Sequence, residues 1–314
     1  MSRKPSRIVE RVLTRLKLKQ LRLLIAVERH GSILHAAREM NLSQPAATKM
    51  IQDLETDFEV QLFTRTNRGV VPTMFGDSLI RNGKLVFAQI AHAAQELDDL
   101  AEGTAGRVVV GTLLAASARV LPIAIETILR ERPDLVVKVV EGTNEVLMPA
   151  LRAGELDLVV GRLPTHRYRG DLDQMTLYEE RIVAIVQAGH PLAARSAVTA
   201  EDMAGYGWIL PPPETTLRRQ LDQYFDRWSD TAPRRVVESV SYLTNRALVL
   251  ASDLISVVPS HVARADLDSG GFAQLAWTVP VGTGPVGVSF RRRGSLSPAA
   301  QAFIRTLADI GGAL

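Results

Sequence analysis

Ser43, Gln44, Pro45, Thr48 and Lys49 stand in the segment NLSQPAATKM, spaced so that they fall on the first turns and outward portion of one helix. A glutamine amide can pair with adenine through two hydrogen bonds, and a threonine can meet a base edge or a thymine methyl. Lysine beside the free amides of a helix start suits phosphate. Further along, Arg65, Asn67 and Arg68 precede Gly69, a residue able to supply a sharp bend, and could reach the backbone or the minor groove. The chemistry on offer is recognition of double-stranded DNA.

Catalysis has no comparable constellation. His30, His35, His92, His166, His190 and His261 are scattered, with no close pair at metal-ligand spacing. The chain has no cysteine, which excludes disulfides, a cysteine nucleophile and thiolate metal clusters. Neither GxSxG nor GxxxxGK[ST] occurs. The expectation is a protein that is not an enzyme and holds no metal or cofactor.

The elements that must position these residues can be read from hydrophobic spacing. LKLKQLRLLIAVER returns Leu18, Leu21, Leu24, Ile25 and Val27 at helical period, and His30-Gly31 stops it. Ser32 caps a second helix, ILHAAREM; after a break at Asn41-Leu42, Ser43 caps a third, with Gln44 and Pro45 in its first turn. Two short strands around a turn at 67–69 complete a winged helix-turn-helix over 1–72. A helix over 73–101, carrying Leu79, Val86, Ile90, Ala93, Ala94 and Leu97, is long enough to need a partner helix, which makes it a dimerisation element. The stretch 102–106, EGTAG, is a linker.

From Arg107 strands alternate with helices, which implies a mainly parallel α/β sheet. The 314 residues, 46% apolar and 23% charged, suit two or three globular domains. Net charge is +3, but 1–72 carries 13 Lys/Arg against 7 Asp/Glu while 73–314 carries 24 against 27. A basic head on a slightly acidic body is what a polyanion-binding module would show. The basic start lacks a signal-type apolar core, and no apolar run approaches a membrane span. A cytoplasmic protein without membrane contact is expected.

AAREMNLSQPAATKMIQDLE at 36–55, LFTR at 62–65 and VVPTMFG at 70–76 strongly resemble the N-terminal domain of the bacterial LysR-type transcriptional regulators, and the long helix and α/β body follow in the same order. The resemblance implies a body like type 2 periplasmic-binding proteins, with lobe I at 107–179 and 280–314 and lobe II at 180–279. It places DNA contacts on Ser43, Gln44, Pro45, Thr48 and Lys49, the wing on Arg65, Asn67 and Arg68, and a pairing between Glu55 and Arg65. It implies homodimers or homotetramers on an interrupted palindromic operator, with RNA polymerase as a further partner, and activation as the commoner outcome. Where the family usually has a cap glycine this chain has Glu59.

In that topology the inducer cleft lies outside the carboxyl ends of the strands. Leu113, Ala115 and Ser117 mark the first strand–helix junction, and Thr143 and Asn144 the second, where Thr143 or Asn144 also suits a helix cap. Pro212, Glu214, Thr215 and Ser241 face them from lobe II. GTLLAASARVLP and GELDLVVGR look most like two branches, the galactose-binding-protein regulator with sugar-like inducers and the protocatechuate-pathway regulator with aromatic-acid inducers. Arg291-Arg292-Arg293 reads as a solvated loop face. An alternative is a cytoplasmic small-molecule-binding α/β protein, or a metal-free enzyme, whose N-terminal part serves only dimerisation.

Overall fold

The computed structural model describes residues 14–66, 69–102, 106–164, 172–226, 233, 235–292 and 296–312. It divides into two compact units, Met1–Ala94 and Gln95–Leu314.

In the first unit α1 (Leu18–His30) ends at Gly31, whose φ of 60° lets its N–H return to Val27 O at 2.9 Å. Ser32 caps α2 (Ile33–Glu39), its Oγ accepting from the amide of His35. Asn41 at φ 53° turns the chain, and Ser43 caps α3 (Gln44–Phe58) by accepting from the amide of Ala46. Ala36, Ala37 and Ala47 are fully buried, so the three helices cross closely around Leu24, Val27, Leu54 and Leu62. The last turn of α3 closes on Glu59 itself, held in the left-handed region at φ 59° with its N–H on Glu55 O.

Strands β1 (Phe63–Thr66) and β2 (Gly69–Pro72) pair antiparallel, with Thr66 opposite Gly69. Val70 N–H donates to Gly31 O at 2.8 Å, and a Cβ on Gly69 would come 2.6 Å from that same oxygen. The wing therefore docks on the end of α1 only because position 69 carries no side chain. The expected Glu55–Arg65 pair does not form. Glu55 Oε1 instead accepts from the amides of Leu62 (2.7 Å) and Phe63 (3.2 Å), while Arg65 stays exposed. Two strand-entry amides that need an acceptor outbid an exposed charge already solvated. Helix α4 (Met74–Glu102) runs 29 residues, about 44 Å.

The second unit holds two five-stranded sheets. The first contains β3 (Arg107–Thr112), β4 (Val136–Glu141), β5 (Leu158–Arg162), β6 (Leu172–Glu180) and β12 (Gly284–Arg291), in the order β4-β3-β5-β12-β6. The second contains β7 (Ile182–Gln187), β8 (Trp208–Leu210), β9 (Val236–Glu238), β10 (Ile255–Pro259) and β11 (Phe272–Gln274), in the order β11-β7-β10-β8-β9. Helices α5 (Leu114–Ser117), α6 (Val120–Glu131), α7 (Asn144–Ala153) and α12 (Pro298–Gly311) belong to the first sheet. The second carries α8 (Ala200–Met203), α9 (Thr216–Phe225), α10 (Tyr242–Ala251) and α11 (Ser260–Asp268).

Within each sheet three neighbouring strands pair in parallel (β4-β3-β5 and β9-β8-β10), a fourth (β6 or β11) shares their direction, and one runs against them: β12 is antiparallel to β5 and β6, and β7 to β10 and β11. The sheets are thus mainly parallel in strand direction, as expected, each with one reversed strand that the sequence reading did not foresee. A strand that enters from the other sheet without a crossover helix arrives from the opposite end. The β6–β7 crossing is fastened by fully buried Glu180, whose Oε1 accepts from Ser260 Oγ (2.9 Å), Ser260 N–H (3.1 Å) and Arg181 N–H (3.0 Å).

Candidate DNA-binding face and ligand cleft

On α3, Ser43, Gln44, Pro45 and Lys49 are exposed and Thr48 is half-buried. Ser43 Oγ already serves the Ala46 amide at 3.3 Å, so its free capacity is one lone pair and its hydroxyl proton. Lys49 lies on the solvent side of a helix whose Ala47, Ile51 and Leu54 are buried, a placement that follows from the helical period. Arg65 is exposed on β1; Asn67 and Arg68 lie outside the described residues. Arg29 and His30 in the last turn of α1 both meet Glu39, which ties the ends of α1 and α2 together. These hydrogen bonds hold the Glu39 carboxyl below the usual carboxylate range, His30 contributing most and Arg29 next.

In the second unit a cavity of about 1150 Å³ opens between the two sheets. Every parallel strand points its carboxyl end at it: Thr112, Glu141 and Arg162 from the first sheet, and Leu210, Ser239 and Pro259 at or just past the strand ends of the second. From the first lobe Leu113, Ala115, Ser117, Thr143 and Asn144 line the cavity; from the second, Thr215 and Ser241 do. Pro212 and Glu214 are not among the lining residues, and the neighbouring Pro211 takes the strand-end position.

The hydroxyls differ in what they have left to give. Thr215 Oγ1 donates to Pro212 O at 2.8 Å and accepts from the Arg218 amide, and Ser241 Oγ accepts from the Thr244 amide. Both are engaged at helix starts, Thr215 keeping one lone pair and Ser241 its hydroxyl proton. Thr143 occupies the N-cap position of α7 by backbone, yet its side chain makes no capping bond. Asn144 Nδ2 donates to Arg162 O at 3.3 Å across the two strand ends.

Sequence reading missed Arg162, Gln174, Gln220 and Asn245, all of which line the cavity. Arg162 was legible in part, because GELDLVVGR ends an apolar run in a charge at the carboxyl end of a strand. Its guanidinium sits partly buried, Nη2 donating to Gly282 O at 3.1 Å, and burial pushes its pKa down against the opposing charges of Glu180 and Glu179. Any side-chain carbon at Gly284 would overlap that guanidinium. The others carry no sequence signal, since Gln and Asn on amphipathic helices and strands read as solvent-facing.

The arginine triplet divides. Arg291 is 6% exposed and its Nη1 donates to Leu151 O and Leu156 O, so it closes the end of α7 instead of forming a solvated loop. An arginine whose donors satisfy helix-end carbonyls can be buried at low cost. Arg292 is exposed and pairs with Asp173 at 2.8 Å at the cavity rim; Arg293 lies outside the described residues. His190, 3% exposed, accepts from Leu192 N–H through Nδ1 and lies 3.3 Å from Asp253 O through Nε2, a neutral ring in a turn. Burial holds its pKa down, with the Asp253 carbonyl opposing. Among the described residues no group of three or more His, Cys, Asp or Glu could hold a metal ion, and no helix is long and apolar enough to cross a membrane.

Two family models cover the chain. Residues 18–77 match the bacterial regulatory helix-turn-helix protein, lysR family, and residues 101–311 match the LysR substrate binding domain. The chain is 32% identical over 294 residues to the HTH-type transcriptional regulator GbpR of Azospirillum brasilense, spanning 93% of this chain and 86% of that protein. It is 31% identical over 277 residues to the HTH-type transcriptional regulator PcaQ of Agrobacterium fabrum, spanning 88% and 89%. In fold it is similar to the crystal structure of CbnR, a LysR family transcriptional regulator, with a TM-score of 0.60 at 21% identity over 94% of this chain and 99% of that one. Matched through both its helical head and its two-lobed body, this chain belongs to the LysR family of helix-turn-helix transcriptional regulators, DNA-binding proteins and not enzymes.

Proposed function

We propose that this chain is a cytoplasmic regulator that activates a catabolic or transport operon when a sugar-like or organic-acid inducer occupies the cleft. The observation that carries this reading is the cavity: the carboxyl ends of the parallel strands of both sheets converge on it, which is where α/β folds bind small molecules. Ser43, Gln44, Pro45, Thr48, Lys49, Arg65, Asn67 and Arg68 contact DNA; Gln44 and Thr48 read bases, and Lys49 with the wing holds phosphate.

Thr143, Asn144, Ser117, Leu113 and Ala115 bind the inducer from one lobe, and Thr215 and Ser241 border it from the other. Val86, Ile90 and Leu97 are exposed large apolar residues on α4 at spacings of four and seven, a stripe suited to pairing with the same helix of a second copy. Paired heads meet an interrupted palindrome. Closure of the lobes on the inducer changes the subunit arrangement, and with it the spacing of the heads and access of RNA polymerase.

The test is genome-wide mapping of bound DNA in the native host, with and without candidate carbon sources. Discrete peaks beside a catabolic or transport operon, shifting in occupancy with one carbon source, are expected. Absence of peaks, together with failure of the purified protein to retard DNA at low salt, would overturn the reading.

A further inference from the structure

Five of the side chains that line the cavity carry a buried polar atom with no hydrogen-bond partner: Arg162 Nη1, Asn144 Oδ1, Gln174 Nε2, Gln220 Oε1 and Asn245 Oδ1. Asn245 is only 6% exposed. Buried polar groups are ordinarily paired, and each left unmade costs about 1–3 kcal/mol. Several such atoms around one cavity are positions that the polar groups of a ligand, displacing water, can satisfy.

The polarity of two of these atoms is fixed. Asn144 Nδ2 donates to Arg162 O at 3.3 Å, so the free end of that amide is its oxygen, an acceptor. Arg162 has donors alone. Its Nη2 is used on Gly282 O, and no carboxylate lies within ion-pair distance of it among the described residues. The nearest buried acid, Glu180, gives Oε1 to Ser260 and Arg181. Contact with Gly284 leaves the guanidinium little room to swing away. Although the charges of Glu180 and Glu179 act on Arg162, its Nη1 still offers a donor suited to an anionic acceptor, and Asn144 Oδ1 an acceptor suited to a donor on the same ligand. Water can serve one amide oxygen, but it cannot neutralise a guanidinium.

The rest of the lining limits the charge. Arg292 is already paired with Asp173, and Glu141 and Glu145 also border the cavity, so a second negative charge on the ligand would be repelled. Across the cleft, Gln220 on α9 and Asn245 on α10 offer further amide oxygens.

Building on the reading of the cleft as an inducer site, we propose that its ligand is a small hydroxylated monocarboxylate, the carboxylate on Arg162 Nη1, a neighbouring hydroxyl donating to Asn144 Oδ1, and further hydroxyls donating to Gln220 and Asn245. Aliphatic and aromatic hydroxy acids share this chemistry.

The experiment is titration calorimetry on the full-length protein with matched probes: glycerate against propionate, gluconate against glucose, and 3,4-dihydroxybenzoate against benzoate. At least one hydroxy acid is expected to bind about tenfold or more tightly than its partner that lacks the hydroxyls or the carboxylate. Which one binds separates the aliphatic from the aromatic source. Arg162→Gln should weaken that binding by about tenfold or more, and Arg162→Lys, which keeps the charge, should recover part of it. Circular dichroism checks that both variants are folded.

Binding of glucose, propionate or benzoate as tight as that of its hydroxy-acid partner would overturn the proposal. So would unchanged affinity in a folded Arg162→Gln protein, or no binding of any hydroxy acid. The inducer reading is judged separately, by whether any fraction of a host metabolite extract changes operator retardation. A response to another ligand class sinks this proposal and leaves that reading intact; no response to any fraction sinks both.

Discussion

Glu55 shows how a single side chain changes meaning once its neighbours are known. In sequence it is one half of a surface ion pair; in the folded head it is the acceptor for the first two amides of the wing strand. Glu55→Ala should lower stability by about 1–3 kcal/mol, because two partly buried amides lose their acceptor. Glu55→Gln, which keeps one acceptor oxygen, should cost less. Urea denaturation followed by circular dichroism measures both, and no loss in the alanine variant would contradict the assignment. Under the proposed division of roles, Gln44 and Lys49 are the matching pair for recognition. Lys49→Ala should weaken binding to most sequences alike and reduce the salt slope of log affinity by about 1. Gln44→Ala should instead relax discrimination at one base pair, by about 1–3 kcal/mol. Salt-titrated retardation assays on operator and scrambled DNA distinguish the two, and identical profiles would refute the division of roles.

At the scale of elements, the closing turn of α3 and the junction of α10 with α11 each hang on one residue. Glu59 adopts a left-handed backbone at φ 59°, a conformation that costs a residue with a side chain about 1 kcal/mol more than glycine. Glu59→Gly should therefore raise the unfolding midpoint, and Glu59→Val should lower it; the reverse order would show that the turn tolerates a β-branched residue.

Between α10 and α11, Arg246 grips Asp266 with Nε and Nη2, and the Tyr242 hydroxyl lies 3.1 Å from Asp266 Oδ2. Arg246 holds the Asp266 carboxyl below its ordinary range; the tyrosine hydrogen bond helps and burial opposes. Burial first, and then the hydrogen bond to and charge of Asp266, push the Tyr242 hydroxyl up to about 12. A depressed carboxyl stabilises the fold fully above the ordinary aspartate value of about 3.9 and loses that contribution as pH falls through its lowered pKa. A raised phenol stabilises fully below about 10 and loses its contribution as pH rises toward 12. Asp266→Asn should accordingly lower the melting temperature at pH 7 and flatten its decline on the acid side. A variant whose acid limb matches the parent would remove this clamp from the account.

For the whole molecule the deciding feature is the exposed apolar stripe along the long helix α4. Val86, Ile90 and Leu97 are left uncovered on α4, and the palindromic operator proposed above requires DNA heads in pairs. Ile90→Glu should shift the protein from dimer or larger toward monomer in analytical ultracentrifugation at micromolar concentration, and should weaken operator binding at least tenfold through lost avidity. A dimer of unchanged stability would move the interface elsewhere. Within the second unit, the inducer adds RT ln(1 + [L]/Kd) to stability, about 2.7 kcal/mol at a hundredfold excess over Kd.

The sequence by itself determined the helical head, since capping serines, the Asn41 break and the spacing of Leu24, Val27, Ile51 and Leu54 are local signals with local causes. It also determined the change to strand–helix alternation after Arg107 and the strand ends at Thr143 and Asn144, because a parallel α/β topology puts ligands at those ends. Only the tertiary structure decided which polar groups remain unpaired there. Arg162, Gln174, Gln220 and Asn245 come from β5, β6, α9 and α10, far apart in the chain. The direction of β7 and β12 was likewise decided by the crossings between sheets, and the burial of Arg291 by the carbonyls at the end of α7. Hydrophobic period and turn chemistry act over a few residues and can be read along the chain. Whether a buried donor finds its acceptor depends on groups that only folding brings within about 3 Å.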